Sequence, residues 1–324
     1  MTKRRRIFHV SLAGLLLVVA GSGAISQEIF ISSPATIYRD DGARQLNINL
    51  PGSLQNPAFS PDGNSIVFTR FRAGYNLGIS DIFALDLNTE TVTSLVSDGS
   101  INVNSPGSSW NGKTGSIVYS SDQGRHDEIY TITKTDNTWR IMQITDRVER
   151  QSYEPSFSPN GNWIVFESHY IDVEGNGVIT KYRVDGSTDY IDLTALAEDN
   201  RQPNWSPDGR RILYQTFRNG NWSIFTMDTN GNNKRSVTSV AESATDAVFS
   251  HDGRWIVYSS ENAEVDNANI YKVASDGGAP IRVTRFGGYD GAPSISRDGT
   301  KIVFESSTGD PDGSAGTRIW IIDN

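Results

Sequence analysis

The chain of 324 residues contains no cysteine, which excludes disulfides, thiolate metal sites and a cysteine nucleophile. The compartment stays open, because a chain of this length buries enough surface to need no covalent staple even in an oxidising space. Histidine is scarce too. Beyond residue 26 only His126, His169 and His251 remain, fewer than an imidazole-rich metal site would want. No basic run follows the first few residues, so nucleic acid is excluded as a partner on charge. A Gly-x-Ser-x-Gly nucleophile elbow is absent. So are a convincing amphipathic helix and any low-complexity linker that would divide the chain.

What is present begins with a leader. Lys3, Arg4, Arg5 and Arg6 form a basic start, Val10 to Ala20 an apolar stretch and Gly21 to Ser26 a small-residue exit. This pattern reads as a cleaved secretory signal over residues 1–26, and an uncleaved anchor is the competing reading. The apolar run falls short of the about 20 residues of a membrane span, so no span is expected after cleavage. Arg5-Arg6 hints at twin-arginine export, although Arg4 stands where a Ser or Thr would be expected. The leader holds four of the 29 basic and none of the 38 acidic residues, leaving 25 against 38, a net charge of about −13. An acidic body of this kind attracts cations, basic protein patches or polar ligands.

The body repeats one segment. Phe59-Ser60-Pro61-Asp62-Gly63-Asn64-Ser65-Ile66-Val67-Phe68 returns at 157–166, 205–214, 249–258 and 295–304, with a degraded copy at 110–119. The closing aromatics Phe68, Tyr119, Phe166, Tyr214, Tyr258 and Phe304 set a period of roughly 44 to 51 residues, the mark of a repeat architecture. Each repeat reads as four strands, exemplified by 57–60, 65–69, 81–87 and 91–96. The Pro-Asp-Gly between the first two forms a turn in which glycine takes the position needing positive φ. Ile66-Val67-Phe68 is apolar without alternation, which requires both faces of the sheet to be covered. Blades stacked around an axis provide that cover. An immunoglobulin-like sandwich would not repeat one hairpin six times.

The expected fold is therefore all-β, a six-bladed β-propeller of four-stranded antiparallel blades over residues 56–324. Residues 27–55 supply a closing strand, with 44–50 the best match, because the chain ends at Arg318 to Asn324 as a third strand lacking a fourth.

The repeated (Phe/Trp)-Ser-Pro-Asp-Gly-x-x-Ile-Val-(Phe/Tyr), followed by Ile-(Tyr/Phe) and a Gly-rich turn, resembles the WD40-like PD40 repeats of the TolB propeller family, from about Asn56 to Asn324. The resemblance implies a periplasmic or secreted binding module acting on an envelope protein. The family's namesake has a separate α/β domain before its propeller. Only about 30 residues separate leader and first blade here, so that domain is not expected. Oligogalacturonate lyases and prolyl oligopeptidase-like peptidases carry related propellers, which keeps a carbohydrate-active lyase or hydrolase, possible metal assistance included, as the alternative.

Chain direction places the Pro-Asp-Gly turns on one face and the loops after the second strand on the other, here called the top. Asn56, Ser105, Glu154, Gln202, Asp246 and Asp290 precede the inner strands and surround the top of the channel. Such a polar ring suits a cation or a small polar or carbohydrate ligand, and a water-filled funnel is the bland alternative. His169 lies on a loop of the same face, and His126 on that of the adjacent blade. A proton-abstracting Tyr170 or His169 beside Arg72 or Arg201 is the chemistry a lyase would use. Asp172, Glu174 and Asn176 space oxygen ligands before Gly177 as the first half of a calcium loop does, although Arg183 replaces its final Glu. Asp310 and Asp312 form a similar oxygen-rich turn. Calcium at these loops is the one cofactor expectation, ordinary solvated acidic loops being the alternative. A monomer is expected.

Overall fold

In the computed structural model the described residues are 28–29, 36–106, 109–136, 138–171, 175–239, 242–261, 267–307 and 316–324. They contain strands and turns but no α-helix. Six antiparallel sheets follow one another along the chain, each ordered consecutively from the inner strand outward. The first has strands Ser53–Phe59, Ser65–Phe71, Ser80–Asp86 and Val92–Val96. Glu28–Ile29 adds a short fifth strand at its outer edge, pairing with Val92 and Thr93. The expected propeller is the observed one.

The ring closes through the N-terminal segment. Arg44 and Gln45 pair antiparallel with Ile321 and Trp320 of the final strand, and Leu46 N donates to Ile319 O at 2.9 Å. Full closure leaves no sheet edge between the first and last blades.

The core lies between blades, which explains the unbroken apolar triplets. Ile66 and Phe68 pack with Val303, Ile319 and Ile321 of the sixth blade, while Val67 packs with Ile117 and Tyr119 of the second. The same division recurs further on: Ile164 and Phe166 face Val118 and Ile129 behind them, and Val165 faces Ile212 and Tyr214 ahead. Alternation persists, but both directions are dry.

The repeated turn is a hydrogen-bonded unit. Ser60 Oγ donates to Asp62 Oδ1 at 2.6 Å and accepts from Ser65 N at 2.9 Å, while Asn64 N donates to the same carboxylate oxygen. Gly63, at φ 77°, completes it. The Ser–Asp pairs recur at 206/208, 250/252 and 296/298. These donors hold the Asp252 and Asp298 carboxyls down at about 2. The turn aspartates are thus committed to structure.

The second blade departs from the pattern. Its inner strand is only Val103–Asn104, and Asn111 replaces the turn serine, its Oδ1 accepting from Lys113 N and Thr114 N.

Candidate functional site

The inner strands share a device the sequence hid. In five blades two residues oppose one on the neighbouring strand, as between Gln55 and Ala58. These are β-bulges, whose first residue points its side chain and N–H in new directions. Asn56, Glu154, Gln202, Asp246 and Ala292 occupy that place with φ of 52°, 47°, 48°, 54° and 45°. For Glu, Gln and Ala such a backbone is uncommon, and it needs support from neighbours.

The support comes from the adjacent blade. Asn56 N donates to Glu305 Oε2 at 2.9 Å, Gln202 N to Glu167 Oε2 at 3.0 Å and Asp246 N to Gln215 Oε1 at 3.2 Å. Ser105 N donates to Thr69 Oγ1 at 3.0 Å. Each acceptor directly follows the closing aromatic of a second strand. Side chains extend the ring: Asn56 Nδ2 donates to Asn104 Oδ1 and Asn104 Nδ2 to Glu154 Oε1, both at 2.8 Å. Gln202 Nε2 donates to Asp246 Oδ1 at 2.7 Å.

Asn56, Glu154, Gln202 and Asp246 thus converge on the axis, around a cavity of about 30 Å³, room for one or two waters. Asp290 does not join them. It lies two residues before the bulge, fully buried, with Arg39 Nη1 donating to Oδ1 at 2.8 Å and Nη2 to Oδ2 at 3.1 Å. The true fifth position is Ala292, because the bulge rather than the strand start defines the ring.

Four carboxyls accumulate here. Burial, and then the charges of Glu167, Asp246 and Glu305, push Glu154 up to about 8. Burial and the Asp246 charge push Glu305 up to about 7, against the hydrogen bond from Asn56. Burial likewise raises Asp246. Tyr75 and Tyr289 hydroxyls both donate to Glu305 Oε1, at 3.1 and 3.2 Å. The site therefore holds more negative charge than its surroundings neutralise.

An open cleft of about 420 Å³ adjoins this ring between the third and fourth blades, lined by Tyr153, Glu154, Glu167, His169, Tyr170 and Arg201 among others. His169 Nε2 lies 3.1 Å from Glu167 Oε1 and Nδ1 lies 3.2 Å from Gly175 O. Both partners are acceptors, an arrangement that favours the protonated ring, and the Glu167 bond raises the imidazole above its ordinary 6.5. An NMR titration should place His169 above that value, and Glu167→Gln should return it downward. An unchanged midpoint would refute the pairing.

Several of the other candidates have partners of their own. Tyr170 Oη accepts from Arg150 Nη2 at 2.5 Å, and Arg201 chelates Asp199. Arg72 is held by Asp81 in the first blade. His126 pairs with Arg147 O and lies 3.5 Å from Glu128, a different carboxylate from that of His169. Asp172, Glu174, Asp310 and Asp312 lie outside the described residues. Asn176 Nδ2 donates to Leu196 O at 2.7 Å. Among the described residues no group of three or more His, Cys, Asp or Glu is placed to hold a metal.

Asn104, Glu167, Glu305, Tyr75 and Tyr289 are the site residues that the sequence reading did not place in the ring. The readable signal was an acid directly after Phe166 and Phe304, but its reach to the bulge N–H of the next blade depends on how the blades meet in the ring.

The comparisons bear on the fold and the family. The Tol-Pal system protein TolB of Francisella tularensis is 28% identical over 186 residues, covering 57% of this chain and 40% of that one. Three curated relatives are matched over only 16%, 36% and 40% of their lengths. The TolB structure from Acinetobacter baumannii superposes with TM-score 0.61 at 19% identity, over 84% of this chain and 64% of that one. Oligogalacturonate lyase from Vibrio parahaemolyticus gives 0.60 at 13% identity, over 92% and 96%. At these identities the structures speak for the fold alone. The family model of the TolB beta propeller domain matches residues 27–191 and 187–316, and the chain belongs to that family.

Proposed function

We propose that this propeller is an exported binding module that takes a basic segment of an envelope protein on its top face. The observation that carries the reading is the convergence of Glu154, Glu167, Asp246 and Glu305 at one channel mouth, with Glu154 pushed up to about 8. A carboxyl held protonated by burial and by the charges of its neighbours becomes a strong acceptor once a cation arrives, because the cation stabilises its ionised form. The adjoining cleft offers Tyr153 and Tyr170 as flat, amphipathic contact area around that charge. Neutralising Glu154→Gln and Asp246→Asn together should abolish capture of the partner from envelope extract. Equal capture by the double variant would overturn the proposal.

A lyase acting on acidic polysaccharide is the second reading, favoured by Tyr170 and Arg201 sharing the cleft. His169 is a poor base for it, since both ring nitrogens lie against acceptors, which favours the protonated ring. New unsaturated ends released from pectic substrates would establish the enzyme, and total inactivity would remove it. Calcium at loop 172–177 is a separate proposal drawn from the spacing of its oxygens. An unchanged melting temperature in chelator would overturn it.

A further inference from the structure

The opposite end of the axis is built differently. The last residue of each inner strand, or its equivalent, is Phe59, Trp110, Phe157, Trp205, Phe249 or Ile295, and all six line one axial funnel of about 240 Å³. Five aromatic rings and a branched aliphatic side chain make a ring of apolar wall, with Pro61, Pro159 and Pro207 at its lip.

Several polar atoms of the wall are already committed. Ser156 Oγ accepts from Trp205 N at 3.2 Å, Ser294 Oγ from Phe59 N at 3.2 Å and Asn204 Oδ1 from Phe249 N at 3.3 Å. Ser60 and Ser250 hydroxyls donate to Asp62 and Asp252. What the funnel offers a ligand is therefore mainly apolar surface.

Charge sets the ligand's other half. No carboxylate is among the lining residues, and the charged or ionisable groups that do line the funnel are Arg297 and His251. Both are exposed. The nearby turn carboxylates Asp62, Asp252 and Asp298 are occupied by serine hydroxyls and backbone N–H groups. Arg297 spends one N–H on Pro61 O at 3.2 Å, which leaves the rest of its planar fork for an anion. The lining of the lower end thus differs from that of the upper mouth, apolar with Arg297 at its lip, and the turn carboxylates Asp62, Asp252 and Asp298 are not part of it.

We propose that the lower funnel binds a small aromatic carboxylate, its ring among the aromatic side chains and its carboxylate on Arg297. Offset and edge contacts with several rings favour a flat guest. A carboxylate on a guanidinium gains a bidentate, charge-assisted contact. This site is independent of the partner proposed for the top face.

The probe is 3-phenylpropionate, titrated against the whole protein with backbone amide signals recorded by NMR. Saturable binding with a Kd of about 1 mM or tighter is expected, with the shifts concentrated at Ser158, Ser250 and Arg297. The uncharged analogue 3-phenylpropionamide should bind about tenfold more weakly, and Arg297→Gln should weaken the acid about tenfold without affecting the amide. Arg297 is exposed, so the variant keeps the fold. Equal affinity for acid and amide, an unaltered affinity in Arg297→Gln, shifts confined to the upper mouth, or no saturation would each overturn the proposal.

Discussion

Arg39→Ala is expected to destabilise the protein by about 3–5 kcal/mol, the range for breaking one side of a buried ion pair. Arg39 stands in the N-terminal segment just before the closing strand, with its side chain 8% exposed. Its guanidinium serves Asp290 and Asp41, whose side chains are 0% and 2% exposed, and donates to Ser306 Oγ at 3.1 Å. It also lies over Phe286, Phe304 and Trp320, 4.4, 5.3 and 5.0 Å from their ring centroids. Truncation would leave two buried carboxylates without a counter-charge and open a gap between three rings.

Arg39→Lys should recover only part of the loss, since an ammonium cannot bond two carboxylates in the plane of a fork. The measurement is urea unfolding of Arg39→Ala, Asp290→Asn and the double variant. The double variant should fall well short of the sum of the singles, because both remove one interaction. Losses within about 0.5 kcal/mol of wild type, the range of ordinary surface changes, would contradict the latch.

The second large effect is a fall in stability as pH rises. Glu154 is pushed up to about 8 and Glu305 to about 7 in the folded chain, against about 4.3 for a solvated Glu. Between these values the folded state holds more protons than the unfolded state, so the free energy of unfolding declines with pH. Stability from these groups is full below about pH 4 and is lost progressively towards about pH 8, a change of several kcal/mol. The turn aspartates act in the other direction but lower down. Their carboxyls sit below the usual range, so their contribution is complete once pH exceeds the ordinary carboxylate value. His169, raised by Glu167, loses its contribution as pH rises through its folded value, in the same direction as the glutamates. Glu154→Gln separates the two. It should flatten much of the decline and stabilise the protein at high pH. A profile that is flat from about pH 5 to about pH 8, or a variant weaker than wild type at the alkaline end, would contradict the cluster.

The blades were legible in the sequence because their causes are local and repeated. A Ser-x-Asp-Gly turn, a dry triplet and an aromatic at a fixed offset dictate the same hairpin wherever they occur. The closing strand was legible by subtraction, since the last repeat lacked a fourth strand. The mouth was legible only in part. Asn56, Glu154, Gln202 and Asp246 were found by position relative to proline or its equivalent. Asp290 was misplaced by two residues, since Ala292, directly before Pro293 as Asn56 is before Pro57, is the equivalent position. Glu167 and Glu305 follow the closing aromatic and lie in Trp163–Tyr170 and Lys301–Ser307, strands that continue past it. Their reach into the neighbouring blade is a property of the ring, which no single repeat encodes.

The central claim is that the acidic mouth recruits a basic partner segment. Affinity capture from envelope extract tests it most directly, with wild type and the Glu154→Gln, Asp246→Asn double variant compared at about pH 6 and about pH 9, on either side of the Glu154 midpoint. Wild type should retain a specific protein, more of it at the higher pH, where Glu154 is ionised, and the double variant should lose it at both. Retention of the same protein by the double variant, or stronger retention by wild type at the lower pH, would contradict the claim.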